Sequence, residues 1–149
     1  GSMGEFDSVR RLLDEEGALH LWRMKLRPGS PPLFGLWEGT PLFGLPGNPV
    51  SSHVVFRMLV APYLRHVLGT DGPKEWTVRA KLCDPVKSTN DCVTLRRVTL
   101  TSTEEGMMAH QPRHQGSGNL ESLASASGLT LLQPGQSGDV GEWIDVLVL

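Results

Sequence analysis

The sequence predicts an α/β segment followed by a small β-rich module. Three observations carry this reading. Glycine and proline cluster near residues 69–75, at Gly69, Gly72 and Pro73. Before that cluster, helical and period-two patterns alternate. After it, short alternating runs are separated by turn residues, as in a sandwich or barrel. The domains are therefore residues 4–70 and 74–149, within a length of 149 residues that suits one ordinary domain or two small ones. Gly1-Ser2-Met3 is consistent with a cloning remnant, and the chain with a piece cut from something longer.

Residues 8–16 read as a short helix. Asp7 or Ser8 serves as its cap, Val9, Leu12, Leu13 and Glu16 fall at helical spacing, and Gly17 stands where a left-handed residue ends a helix. Residues 18–26 then alternate. Ala18, His20, Trp22, Met24 and Leu26 share one face, and Leu19, Leu21, Arg23, Lys25 and Arg27 the other. Pro28-Gly29 ends that strand. Leu33–Trp37 and Pro41–Leu45 form two strands joined through Glu38-Gly39-Thr40. Asn48 is an N-cap and Pro49 sits at N1, where its missing N–H costs nothing. Val50, Val54, Val55, Met58 and Leu59 make the apolar stripe of the following helix. Pro62 kinks or restarts it, and Gly69 stops it.

In the second module, Trp76, Val78, Ala80 and Leu82 alternate with Thr77, Arg79 and Lys81. Val93–Leu100 and Met107–His110 are further strands. Asn119–Ala126 reads as a short helix ended by Gly128, and Leu129–Leu132 and Trp143–Leu149 are the last strands.

Composition excludes several classes. Lys+Arg 14 against Asp+Glu 16 gives a net charge of −2, which argues against bulk binding to nucleic acid or to an anionic membrane. No apolar run reaches the roughly 18 residues of a membrane span, and the first residues carry no signal-peptide core. The chain is accordingly read as cytoplasmic. Two cysteines, Cys83 and Cys92, are too few for a disulfide scaffold or a four-cysteine zinc site. They flank a turn, either facing each other across a hairpin or standing as buried free thiols. P-loop, nucleophile-elbow and dinucleotide-binding motifs are absent.

Residues 41–52 are the most informative stretch for chemistry. A strand feeds a Gly/Pro turn and then a helix N-terminus, whose first N–H groups and dipole suit a phosphate or oxyanion. Gly47 allows close approach to the backbone. The plain alternative is a strand-to-helix connection that binds nothing. Arg23, Lys25 and Arg27 on one strand face repel one another unless an anion lies opposite; the alternative is a solvated edge strand. Asp7 either caps a helix or holds a metal ion or hydroxyl. His110 and His114 are four apart, but Pro112 between them argues against a helical zinc site. His20, on the apolar strand face, reads as a core residue rather than a base.

Gly44-Leu45-Pro46-Gly47-Asn48-Pro49-Val50-Ser51 resembles the signature of the molybdopterin molybdenumtransferases, bacterial MoeA and the gephyrin E domain. Other landmarks follow in that family's order. Ser2-Met3-Gly4-Glu5-Phe6-Asp7 resembles its Ser-Met-Gly-Glu-x-Asp, and Arg27-Pro28-Gly29-Ser30-Pro31 its Lys-Pro-Gly-Lys-Pro. Gln115-Gly116-Ser117-Gly118 resembles its Gln-Gly-Ser, and Gly141-Glu142-Trp143-Ile144-Asp145-Val146 its closing Gly-Glu-x-Val-x-Val.

The resemblance implies the C-terminal half of a MogA-like molybdopterin-binding α/β domain, followed by a β-barrel-like C-terminal domain. It implies insertion of molybdate into adenylyl-molybdopterin with release of AMP and with Mg²⁺, in a homodimer whose cleft is shared. It implies roles as well. Asp7 binds metal or pterin, and Arg23 and Arg27 contact pterin phosphates or molybdate. Pro46, Gly47, Asn48, Pro49 and Ser51 shape the binding turn, while Arg97 and Ser117 line the cleft from the other side. Asp7 and Arg27 are the catalytic assignments. Ser30 and Cys92 depart from the family, standing where lysine and arginine are common. The first half of the α/β domain has no counterpart in the chain, so the piece is expected to be inactive alone, with an exposed apolar helix face that invites self-association. The rival reading is a dimeric peptide-binding scaffold of the gephyrin type without catalysis.

Overall fold

A computed structural model describes residues 3–70, 76–112 and 124–149, with side chains from Ser8 onward. The chain divides into two compact units. The first comprises residues up to Met24 together with Gly29–Thr70, and the second Lys25–Pro28 together with the chain beyond Thr70.

The first unit opens with α1 (Met3–Glu16). This helix starts earlier than expected, so Asp7 and Ser8 lie inside it and neither is its cap. Met and Glu are good helix formers, and no proline interrupts the run. Gly17 is not left-handed either. A Cβ there would lie 2.5 Å from the Leu36 carbonyl oxygen, so glycine is needed for close approach rather than for backbone sign. Leu13, fully buried, reaches Gly35 in the same way: a Cβ on Gly35 would lie 2.7 Å from its Cδ1.

Three antiparallel strands follow in the order β1 (Ala18–Trp22), β3 (Leu33–Trp37), β4 (Thr40–Gly44). Trp37 pairs with Thr40, leaving the two-residue loop Glu38-Gly39 with φ of 49° and 76°. Positive φ at both positions is what a twisted hairpin requires.

The long strand expected over residues 18–26 does not form. The register with β3 shifts between Leu19 and Leu21, and Arg23 turns left-handed at φ 67°. One extra residue and one reversed φ destroy the period of two. His20, at the irregularity, is exposed rather than in the core, with its ring 5.9 Å from that of Phe34.

Beyond β4 comes one helical run in three parts: α2 (Pro49–Val55), a π segment over Phe56–Val60, and α3 (Ala61–Leu68). The π segment sits just before Pro62. Proline lacks an N–H and its ring clashes with the carbonyl four residues back, here that of Met58. A wider turn, in which Ala61 N–H donates to the Phe56 carbonyl, accommodates it. Gly69, at φ 59°, closes α3, its N–H reaching the Arg65 and His66 carbonyls. Val50, Val54 and Val55 are buried as the stripe predicts. Phe34, Phe43 and Tyr63 pack nearby in tilted and edge-on contacts, with ring centroids 4.7–5.9 Å apart.

The second unit is built on a closed barrel of five strands: β10 (Gly128–Thr130), β12 (Trp143–Val148), β5 (Thr77–Leu82), β9 (Gly106–His110) and β8 (Arg97–Thr103). Closure removes sheet edges. Ala80, Leu82, Val86, Val98, Ala109, Leu132, Ile144 and Val146 fill it. Two short pairs attach: β6 (Val86–Lys87) with β11 (Ser137–Gly138), and β2 (Leu26–Arg27) with β7 (Val93–Thr94). The run expected over Val93–Leu100 is thus two strands, broken at Leu95 and Arg96. Gly128 begins a strand instead of ending a helix. A Cβ there would lie 2.5 Å from Val146 Cγ1. Most of the Asn119–Ala126 helix, with Ser117 and His114, lies outside the described residues.

Candidate functional site

The turn over residues 45–52 is built by its own side chains. Asn48 has extended geometry (φ −76°, ψ 125°), and its Oδ1 accepts the N–H groups of Val50 at 3.1 Å and Ser51 at 3.2 Å. Ser52 N–H donates to the Asn48 carbonyl at 2.8 Å, and Pro49 has no N–H to offer. The first turn therefore holds no free backbone donor. This corrects the expectation of open N–H groups aimed at an anion: asparagine at the cap satisfies them.

Ser52 Oγ donates to the Pro46 carbonyl and ties the two ends of the turn together. Ser52 was not singled out from sequence, yet it lies four residues from Asn48, one helical turn away. Pro46 and Ser51 are buried, while Gly47 and Pro49 are exposed. Gly47 thus leaves its backbone open to solvent in this turn.

The basic cluster is rearranged. Arg23, Lys25 and Arg27 do not share one strand face, because the strand ends at Trp22. Arg23 is exposed in the first unit. Its backbone N–H donates to Pro32 at 3.2 Å, and its guanidinium lies 5.4 Å from the centre of the Trp22 ring. Arg10 stands 5.0 Å from the same ring.

Arg27 belongs to the second unit, on β2. Leu26 and Arg27 run parallel to Val93 and Thr94, and Leu95 N–H donates to the Arg27 carbonyl at 2.7 Å. Its side chain is exposed. Asp91 was missed from sequence. A hydrogen bond from Cys92, helped by Thr89 and by the Arg27 charge, holds its carboxyl below the usual range. Asp91 is therefore an anionic neighbour that any anion at Arg27 must contend with. Its signal lay in the Asn90-Asp91 turn just before β7, within the region where Cys92 departs from the family.

Arg97 is 3 % exposed on β8, and burial pushes its guanidinium below its ordinary value. The neighbouring Arg96 is half-buried, with Nε and Nη2 both donating to the Lys87 carbonyl at 3.3 and 3.1 Å. The side chain of Asp7 and all of Ser117 lie outside what is described. Among the described residues no three His, Cys, Asp or Glu side chains come together as a metal site would need. No helix among them is long and apolar enough to cross a membrane.

The fold and turn together define an α/β unit with an asparagine-capped Pro-Gly-Asn-Pro connection, continued by a small closed barrel. The chain is similar in fold to a solved molybdopterin biosynthesis MoeA protein from Pyrococcus horikosii. It matches 95 % of this chain and 34 % of its own, at a TM-score of 0.79 and 32 % identity. Residues 1–66 match the model of a probable molybdopterin binding domain, and residues 79–149 that of the MoeA C-terminal region, domain IV. Among curated relatives, a molybdopterin molybdenumtransferase of Staphylococcus epidermidis is 28 % identical over 149 residues, covering 99 % of this chain and 36 % of its own. One from Haemophilus influenzae is 39 % identical over 75 residues, covering 50 % and 18 %. Both units are thus similar, in order, to MoeA-type molybdopterin molybdenumtransferases, and the chain spans about a third or less of the length of these relatives.

Proposed function

We propose that the protein to which this chain belongs inserts molybdate into adenylylated molybdopterin and releases AMP, within molybdenum cofactor biosynthesis. The observation that carries this is the joint match of both units, in order, to molybdopterin-binding and MoeA C-terminal models. The chemistry fits. The reaction joins polyanions, so positioned cations and close backbone approach are the groups it needs, and no nucleophilic side chain is required.

In this reading Arg27 is the principal anion contact. It is exposed, and its backbone is held between Val93 and Leu95. Arg23 supplies a second cation. Gly47 is the place of close approach, with Pro46, Asn48, Pro49 and Ser51 keeping the turn in shape. Arg97 and Ser117 complete the assignment; the burial of Arg97 makes its contribution one of local field rather than direct contact. Asp7 is assigned to a Mg²⁺ ion. Among the described residues no group of three His, Cys, Asp or Glu makes a cation site. A homodimer and a cytoplasmic setting belong to the same reading.

Calorimetric titration of this chain with adenylylated molybdopterin tests the anion contact. The expected result is binding that Arg27→Ala weakens by about tenfold or more, as loss of a charged hydrogen bond of about 1.5–3 kcal/mol predicts. Equal binding by both would remove Arg27 from the site. AMP release by the full-length protein, with and without molybdate, tests the reaction itself. Turnover that ignores molybdate would overturn the reading.

A further inference from the structure

On the barrel wall β5 and β9 run parallel, with Lys81 opposite Met108 and Leu82 opposite Ala109. One residue further along each strand stand Cys83 and His110. Cys83 N–H donates to the Ala109 carbonyl at 2.9 Å, which fixes the pair in place. The Cys83 Sγ lies 3.6 Å from His110 Nε2, and Thr101 Oγ1 on β8 lies 3.3 Å from the same nitrogen. With its proton on Nδ1, the ring presents the one Nε2 lone pair to the thiol, and once Nε2 carries the proton it can donate to Thr101 Oγ1.

The surroundings are polar and accessible. His110 is exposed and Cys83 half-buried, whereas Cys92 is buried, only 8 % exposed. Lys81, two residues before Cys83, is paired with Glu105 at 3.2 Å. Asp84 Oδ2 accepts the Gln111 N–H at 2.9 Å. From β8 come Thr99, opposite His110, and Thr101. A thiol within reach of an imidazole base is the pairing that activates a cysteine nucleophile. None of these residues enters the proposed molybdenum chemistry.

We propose that Cys83 and His110 form a thiol-modification site for low-molecular-weight disulfides. The Cys83 S–H proton passes to His110 Nε2 as the sulfur attacks. One S–S bond forms between Cys83 and half of the disulfide, and the disulfide's own S–S bond breaks. The other half leaves as a thiolate and takes up the proton. The disulfide is the two-electron oxidant, and a mixed disulfide on Cys83 is the product.

The test uses the folded 149-residue chain with glutathione disulfide and with an aromatic disulfide reagent, read by mass spectrometry and absorbance. Adduct is expected on Cys83 ahead of Cys92, and none on Cys83→Ser at that position. His110→Gln, at an exposed position, is expected to slow the second-order rate about tenfold, less than the roughly 10²-fold of a full general base. In the urea-unfolded chain the same substitution is expected to change nothing, because the pair no longer exists. An unchanged rate in folded His110→Gln, with native circular dichroism, would overturn the proposal. So would modification of Cys92 first.

Discussion

Asn48 holds the most concentrated local role in the chain. Its side chain accepts two N–H groups that would otherwise face the turn unpaired. Asn48→Ala should cost about 1 kcal/mol of stability, measured by urea denaturation, while Asn48→Asp should retain most of it. His53, on α2, makes a different prediction. Its Nε2 is buried without a hydrogen-bond partner among the described residues. Burial first, and the Arg57 charge second, hold its pKa below the ordinary histidine value of 6.5. The unfolded chain then binds the proton more readily than the native one. The stability from this group is full above pH 6.5 and is lost as pH falls from there through the lower native value. A pH series of thermal unfolding should show that loss, and His53→Gln should flatten it. At this scale the sequence was legible where a residue acts on its own backbone: Asn48, Pro49 and Gly69 do what their chemistry dictates. It was not legible at Gly17 and Gly128, whose need for glycine comes from the Leu36 carbonyl and the Val146 side chain.

Elements formed as the periodicity indicates wherever one neighbour decides them. Leu33–Trp37 was legible to the residue, because a half-buried strand beside a two-residue turn sets its own register. Residues 18–27 were not. The irregularity at His20 and the reversed φ of Arg23 end β1, and Leu26-Arg27 then pairs with Val93-Thr94, 67 residues away along Leu26↔Val93. The short strand β10 carries a testable burden, since it pairs with both β8 and β12 to close the barrel. Gly128→Ala would drive a methyl group against fully buried Val146. We expect about 1–3 kcal/mol of destabilisation, seen as a lowered urea midpoint, whereas Gly135→Ala, open on all sides, should cost only its backbone strain at φ 76°.

For the whole molecule, the exposed apolar surface is the feature with consequences. Phe56, Leu64, Val67 and Leu68 are 42 %, 42 %, 58 % and 68 % exposed on one helical run. Such a grouping on a charged, near-neutral chain favours association. Sedimentation velocity should show self-association that rises with concentration, and Val67→Glu with Leu68→Glu should suppress it without lowering thermal stability. A chain that stays monomeric at high concentration would sink this expectation and, with it, self-association as a property of this piece. The division into an α/β part and a β-rich part, the capped Pro-Gly-Asn-Pro turn and the family resemblance were all determined by the sequence itself. The first two depend on residues within a few positions of one another, whose propensities act locally, and the resemblance on short motifs that recur in order along the chain. The closure of the barrel, the fate of the Arg23-Lys25-Arg27 run, the saturated helix N-terminus and the Cys83–His110 pair were decided only by the tertiary structure. Each depends on which distant backbone or side chain arrives within hydrogen-bonding or van der Waals distance, and no local pattern encodes that arrival.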